Sequence, residues 1–113
     1  MIMTTQETSR SPATIMIVDD EPRACQLFEK VLREEGYRVV TAKSGREALE
    51  LVSEARPQLI LLDIVMPEMD GLATLKELRR QGQSCTVILL TAQGTLQSAR
   101  EAMMLGAYDY ITK

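Results

Sequence analysis

The stretch Leu59-Ile60-Leu61-Leu62-Asp63-Ile64-Val65-Met66-Pro67-Glu68-Met69-Asp70-Gly71 decides the fold. It opens with an uninterrupted apolar run, Leu59 to Leu62, the pattern of a strand buried on both faces. The run stops on an acid. An unpaired carboxylate inside an apolar layer is costly, so Asp63 is expected at the strand's exit, where the sheet meets water. Met66-Pro67 and Asp70-Gly71 then supply rigid and flexible residues to turn the chain.

Working outward, the same grammar repeats. Ile15-Met16-Ile17-Val18 is a second apolar run, and it too ends on acids, Asp19, Asp20 and Glu21. Pro22 suits the first turn of a helix, and Asp20 and Glu21 complement that helix's dipole. Ala24, Leu27, Phe28, Val31 and Leu32 form one helical face, with Gly36 as its stop. Tyr37 to Ala42 is rich in β-branched residues and reads as a strand. Ser44-Gly45-Arg46-Glu47 has the form of a capping box, and the helix behind it carries Ala48, Leu49, Val52 and Ala55 before Pro57. Past Gly71, Leu72, Leu75 and Leu78 mark a third helix, closed by Arg79-Arg80 and Gly82. Thr86 to Leu90 is a strand ending at Thr91. Leu96, Ala99, Ala102 and Met103 mark a fourth helix stopping at Gly106, and Tyr108 to Thr112 is a last strand before Lys113.

Strand and helix alternate, and the strands are nearly all apolar. This predicts an α/β fold: a doubly wound five-stranded parallel sheet covered by helices on both faces. Such a sheet ordinarily carries a helix after its last strand, on the face shared with the first helix. No such helix is present in this sequence, so the domain is expected to be truncated after its fifth strand. An apolar patch of roughly several hundred Å² is then expected on that face. The domain is assigned to residues 13–113, behind a flexible N-terminal leader over residues 1–12.

At 113 residues the chain is one domain with room for a core, and its 45% apolar and 26% charged content is ordinary for a globular protein. A net charge of −3 offers no basic field for nucleic acid. No apolar run approaches the roughly 20 residues that span a bilayer, and the polar N-terminus lacks the apolar core of a signal peptide. A cytoplasmic location is expected. Cys25 and Cys85 have neither metal nor redox spacing and read as free thiols. Histidine is absent, which removes the commonest general base and most zinc sites.

Four strands thus end on Asp19/Asp20, Asp63, Thr91 and Lys113. In open α/β sheets ligands bind outside the carboxyl ends of the strands, at a topological switch point. Carboxylates converging there without histidine or thiolate make a hard oxygen site suited to Mg2+. A lysine and a hydroxyl beside it can hold the oxygens of a tetrahedral anion, and a carboxylate can itself be the nucleophile that forms an aspartyl phosphate.

Val18-Asp19-Asp20-Glu21, Leu61-Leu62-Asp63-Ile64-Val65-Met66-Pro67, Leu90-Thr91-Ala92 and Tyr110-Ile111-Thr112-Lys113 fall in order along the chain. Together they resemble the signature blocks of response-regulator receiver domains, the phospho-accepting modules of two-component signalling, over about Thr14 to Lys113. The resemblance implies the receiver strand order 2-1-3-4-5. It implies that Asp63 accepts a phosphoryl group from a sensor histidine kinase or phosphotransfer protein. Mg2+ would be bound directly by Asp20, Asp63 and the backbone carbonyl of Val65, and through water by Asp19. Thr91 would hydrogen-bond the phosphoryl oxygens, Lys113 would pair with them, and Tyr110 would be the aromatic switch that turns inward as Thr91 moves. Gly71 would serve the loop after the site.

At positions that the resemblance implies tune the phosphoryl lifetime, Val65 carries no polar side chain to orient an attacking water, whereas Gln93 is polar and would act in the opposite sense, which leaves the net lifetime open. Gly106-Ala107-Tyr108-Asp109-Tyr110 resembles receivers attached to transcriptional activators of the NtrC-like group, which implies a C-terminal output domain beyond this chain. The fourth helix and fifth strand would form its output surface or a homodimer contact. The domain promotes its own phosphorylation chemistry and is not expected to be an enzyme with an external substrate. The rival reading is a phosphorylation-independent docking module on the same fold. A phosphohydrolase is disfavoured because Val65 stands where a second acid would, and a nucleotide-binding domain because no glycine-rich turn follows the first strand.

Overall fold

The computed structural model describes residues 12–92 and 94–113. The leader, apart from Pro12, and Gln93 lie outside the described residues. Five strands alternate with four helices: β1 (Thr14–Val18), α1 (Pro22–Glu34), β2 (Arg38–Ala42), α2 (Gly45–Ala55), β3 (Leu59–Asp63), α3 (Gly71–Arg80), β4 (Thr86–Thr91), α4 (Leu96–Met104) and β5 (Asp109–Thr112). The strands form one parallel sheet in the order β2-β1-β3-β4-β5. The expected fold and winding are therefore both present.

Alternation along each strand divides the core. Met16, Val18, Ile60, Leu62, Val87 and Leu89 point to one face, where α2, α3 and α4 bring Ala48, Val52, Leu75, Leu78 and Ala102. Among the described residues the opposite face is covered by α1, through Cys25 with Phe28 and Leu32 on Ile17 and Val39. Beside α1 an apolar groove of about 570 Å³ stays open along Leu61, Ile88, Leu90 and Ile111. Leu27, which lines this groove, and Val31, both read from periodicity as core-facing, are 64% and 50% exposed. The apolar stripe of α1 is wider than the sheet surface it covers.

Local details depart from the sequence reading for identifiable reasons. β2 starts at Arg38 rather than Tyr37, because the Tyr37 N–H is taken by the Leu32 carbonyl in closing α1. The Ser44 hydroxyl accepts from the Glu47 N–H as a cap should, but the Glu47 carboxylate reaches back to the Lys43 N–H, one residue before the expected partner. Glu21 is the N-cap residue of α1 without a side-chain capping bond, and the Glu21 N–H donates to Asp19 Oδ1 at 2.9 Å. Asp70, read as a turn residue, is the N-cap of α3 and accepts from the Ala73 N–H at 2.8 Å. Arg79 does more than complement the dipole of α3. Its guanidinium donates to the carbonyls of Gln83, Cys85 and Gly106, each at 2.9 Å, and ties α3 to the segments entering β4 and β5.

Candidate functional site

Register explains why chemistry collects at one edge. Val18 pairs with Leu62, Asp63 with Leu90, and Thr91 with Thr112, so β1, β3, β4 and β5 terminate side by side. Asp63 is the last residue of β3, and Asp19 follows β1 directly. Asp63 was expected in water at the strand exit. Instead it is only 8% exposed and Asp19 only 3%. Both acids can be buried because Lys113, delivered by β5, answers them: its Nζ lies 3.0 Å from Asp19 Oδ2 and 3.6 Å from Asp63 Oδ2. The Lys113 backbone N–H continues the ladder to the Thr91 carbonyl at 2.7 Å, which fixes where its side chain begins.

The carboxylates of Asp19, Asp20 and Asp63 each place an oxygen within 4.8 Å of the others. Asp19 and Asp63 share the Lys113 ammonium, which sits closer to Asp19 than to Asp63. Burial and the charge of Asp19 therefore push the Asp63 carboxyl above the ordinary carboxylate range, against the opposing pull of Lys113 and of the Val65 N–H, which reaches Asp63 Oδ1 at 3.4 Å. Burial pulls Lys113 down, but its hydrogen bond to Asp19 and the two acid charges outweigh that, and the net shift is upward. Asp20, Asp63, Lys113, Glu21, Val65 and Ala92 line a cleft of about 360 Å³ here. Val65 is exposed at its rim and Thr91 is buried behind it.

The floor of the site depends on Gly71. An added Cβ there would sit 2.4 Å from the Asp63 carbonyl oxygen and 2.8 Å from Ile64 Cα. The Gly71 N–H also donates to the Ile64 carbonyl at 2.8 Å, so α3 starts hard against the exit of β3. Cys25, read from the sequence only as a free thiol, is free and buried against the site: its thiol donates to the Asp19 carbonyl at 3.3 Å, and burial followed by the Asp19 charge raises its pKa. Its place on the helical face of Phe28 and Leu32 was the one available signal. Tyr110 is half-buried on β5, with its hydroxyl at the first turn of α4. Thus Asp19, Asp20, Asp63, Lys113 and Val65 come together as expected, Thr91 stands at the adjoining strand end, and Tyr110 lies on the neighbouring strand.

A family model described as the response regulator receiver domain matches residues 15–113. The chain belongs to the response-regulator receiver family. The receiver domain is 43% identical over 99 residues to the transcriptional regulatory protein ZraR of Escherichia coli K12, covering 88% of this chain and 22% of that protein. It is 40% identical over 99 residues to the regulatory protein AtoC of the same organism, with the same coverage. It therefore spans about a fifth of the length of these curated relatives, which are of the NtrC family, as the Gly106–Tyr110 block implied. Among solved structures, the receiver superposes on the chemotaxis protein CheY4 of Vibrio cholerae with a TM-score of 0.87 at 32% identity, covering 91% of this chain and 88% of that one. The response regulator TrrA of Thermotoga maritima, solved in complex with Mg2+-BeF, gives a TM-score of 0.80 at 37% identity, covering 89% and 86%. Among the described residues, no helix of the receiver is long and apolar enough to cross a membrane.

Proposed function

We propose that this receiver domain takes a phosphoryl group onto Asp63 from a phosphohistidine of a sensor histidine kinase or phosphotransfer protein. The observation that carries this reading is the convergence of three carboxylates and Lys113 at the rim of a cleft open to solvent. In the transfer an Asp63 carboxylate oxygen forms the new P–O bond while the P–N bond breaks, and its electron pair leaves with the imidazole. Lys113, already 3.6 Å from Asp63 Oδ2, pairs with the phosphoryl oxygens, and the Thr91 hydroxyl hydrogen-bonds one of them. Asp63 sits on a strand end braced by α3, so little reorganisation is needed for attack.

The donor set fits Mg2+: all oxygen, mutually repelling, and only partly neutralised by Lys113. Asp20, Asp63 and the Val65 carbonyl would hold it directly and Asp19 through water. The Mg2+-BeF complex of TrrA supports the same reading. When bound, the ion neutralises charge on the phosphoryl oxygens.

Phosphorylation then shifts a population between two arrangements of Thr91 and Tyr110. The face that responds is built by α4 and β5, where Leu96, Met104 and Tyr108 are exposed. It would meet an output domain or a second copy of the receiver in the cytoplasm. The transcriptional regulators it resembles are several times longer than this chain, which supports a C-terminal output domain. We assign the domain no external substrate of its own.

Mg2+ titration followed by amide NMR tests the reading. Saturable shifts should appear at Asp19 to Glu21 and at Asp63 to Val65, and should be lost in Asp20→Asn. Shifts spread over the acidic surface, unchanged in that variant, would refute it.

A further inference from the structure

The Tyr110 hydroxyl lies 2.6 Å from Ser98 Oγ, twelve residues away on another element, and accepts from the Thr95 N–H at a longer 3.3 Å. We infer that Ser98 is a positioning residue for Tyr110: its hydroxyl holds the phenol on the first turn of α4 and restrains the domain in its resting arrangement. This rests on the phosphorylation reading proposed above.

Ser98 has a local task already. As the third residue of α4 it completes a capping box with Thr95: the Ser98 N–H donates to Thr95 Oγ1 at 3.0 Å and Ser98 Oγ accepts from the Thr95 N–H at 3.3 Å. The box needs nothing from β5. The Ser98 hydroxyl hydrogen has the Thr95 carbonyl at 3.1 Å as its acceptor, and Ser98 Oγ also lies 2.8 Å from Thr95 Oγ1; with the exposed Thr95 hydroxyl hydrogen turned to solvent, the two Ser98 Oγ lone pairs take the Thr95 N–H and the Tyr110 O–H. One consistent set of protons therefore satisfies all three groups. Without the Ser98 hydroxyl, the phenol keeps, among the described residues, the long contact from Thr95.

The ring is also confined on its other side. An added Cβ at Gly94 would stand 3.1 Å from Tyr110 Cε1 and 3.2 Å from its hydroxyl. Tyr110 thus sits against Gly94 and Thr95, just before α4, opposite Leu89 in the β4–β5 register. If Thr95 and the start of α4 move as Thr91 engages a phosphorylated Asp63, the Ser98–Tyr110 bond must stretch or break. Its free energy is then part of the barrier to the responsive arrangement, and removing it favours phosphoryl uptake.

The test measures uptake from acetyl phosphate with Mg2+ by phosphate-affinity electrophoresis. Ser98→Ala should accelerate uptake about fivefold, the factor that one neutral hydrogen bond of ordinary strength supplies. Ser98→Thr, which restores the hydroxyl, should return the rate toward the parent's. In a Tyr110→Phe background Ser98→Ala should add nothing. An unchanged or slower rate in Ser98→Ala, or an equal effect in both backgrounds as helix capping alone would give, overturns the inference. A parent chain that takes up no phosphate would sink the underlying reading instead. The Tyr110 ring 13C shift then decides for Ser98: it should move in Ser98→Ala and return in Ser98→Thr, and an unmoved shift counts against the bond.

Discussion

Replacing Gly71 with alanine probes how the packing of α3 fixes the site. The new Cβ would lie 2.4 Å from the Asp63 carbonyl oxygen, 2.8 Å from Ile64 Cα and 3.0 Å from the Asp63 carbonyl carbon. All three are backbone atoms, so no side chain can rotate away. Relief requires moving the start of α3 or the end of β3 by roughly 1 Å, and overpacking of this kind costs about 1–3 kcal/mol. The same shift weakens the 2.8 Å bond from the Gly71 N–H to the Ile64 carbonyl, adding about 1 kcal/mol. The smaller entropy of an alanine unfolded chain returns about 0.4–1 kcal/mol. The net expectation is a loss of about 2–3 kcal/mol, read from urea unfolding at constant slope. Because Asp63 itself is displaced, uptake of phosphate should fall by up to about a hundredfold. Gly36→Ala is the control. Gly36 has φ +94° and nothing within 4 Å of an added Cβ, so it should lose about 1–2 kcal/mol of stability and leave phosphoryl uptake unchanged. A Gly71→Ala variant within about 0.5 kcal/mol of the parent, with normal uptake, would refute the close-packing argument.

Further expectations concern charge and hydrogen bonding. Lys113→Ala removes a charge that lowers the Asp63 pKa, so Asp63, already above the ordinary range, should titrate higher still in a 13C carboxyl titration; a fall would contradict the geometry. The raised folded value also sets a sign. The favourable contribution of Asp63 is full below its unfolded pKa of about 3.9 and is lost as pH rises through the folded value, so Asp63→Asn should raise the melting temperature at neutral pH. Arg79→Met strips three carbonyls of their donor and should cost about 2 kcal/mol in urea unfolding. Arg79→Lys should recover little of this, since an ammonium cannot reproduce the fork; full recovery would mean that charge alone matters. Val65→Asn places a polar group at the rim of the cleft, where it can orient a water, and should shorten the half-life of the phosphorylated chain. An unchanged half-life counts against that role for position 65.

Much of this architecture is legible in the sequence because burial on two faces leaves a simple trace. Ile15–Val18, Leu59–Leu62 and Val87–Leu90 are apolar without alternation, and a polar residue at the sheet edge follows each. What the sequence hides is set by neighbours distant along the chain. Gly71 reads as a turn glycine, yet it is required because α3 begins against the backbone of Asp63. Leu27 and Val31 fit a helical face, but periodicity does not say how much sheet lies beneath it. Arg79 looks like a dipole partner, and its reach to the Gly106 carbonyl depends on where α4 ends. Burial of Asp63 could not be foreseen without Lys113 poised over it. The Ser98–Tyr110 bond joins two elements whose facing residues no local pattern predicts.

The central claim is tested most directly by the intact mass of the chain after incubation with acetyl phosphate, with and without Mg2+, beside Asp63→Asn. The account predicts one added phosphoryl group that requires both Mg2+ and Asp63. Addition that persists in Asp63→Asn or without Mg2+, or no addition under any condition, would contradict it.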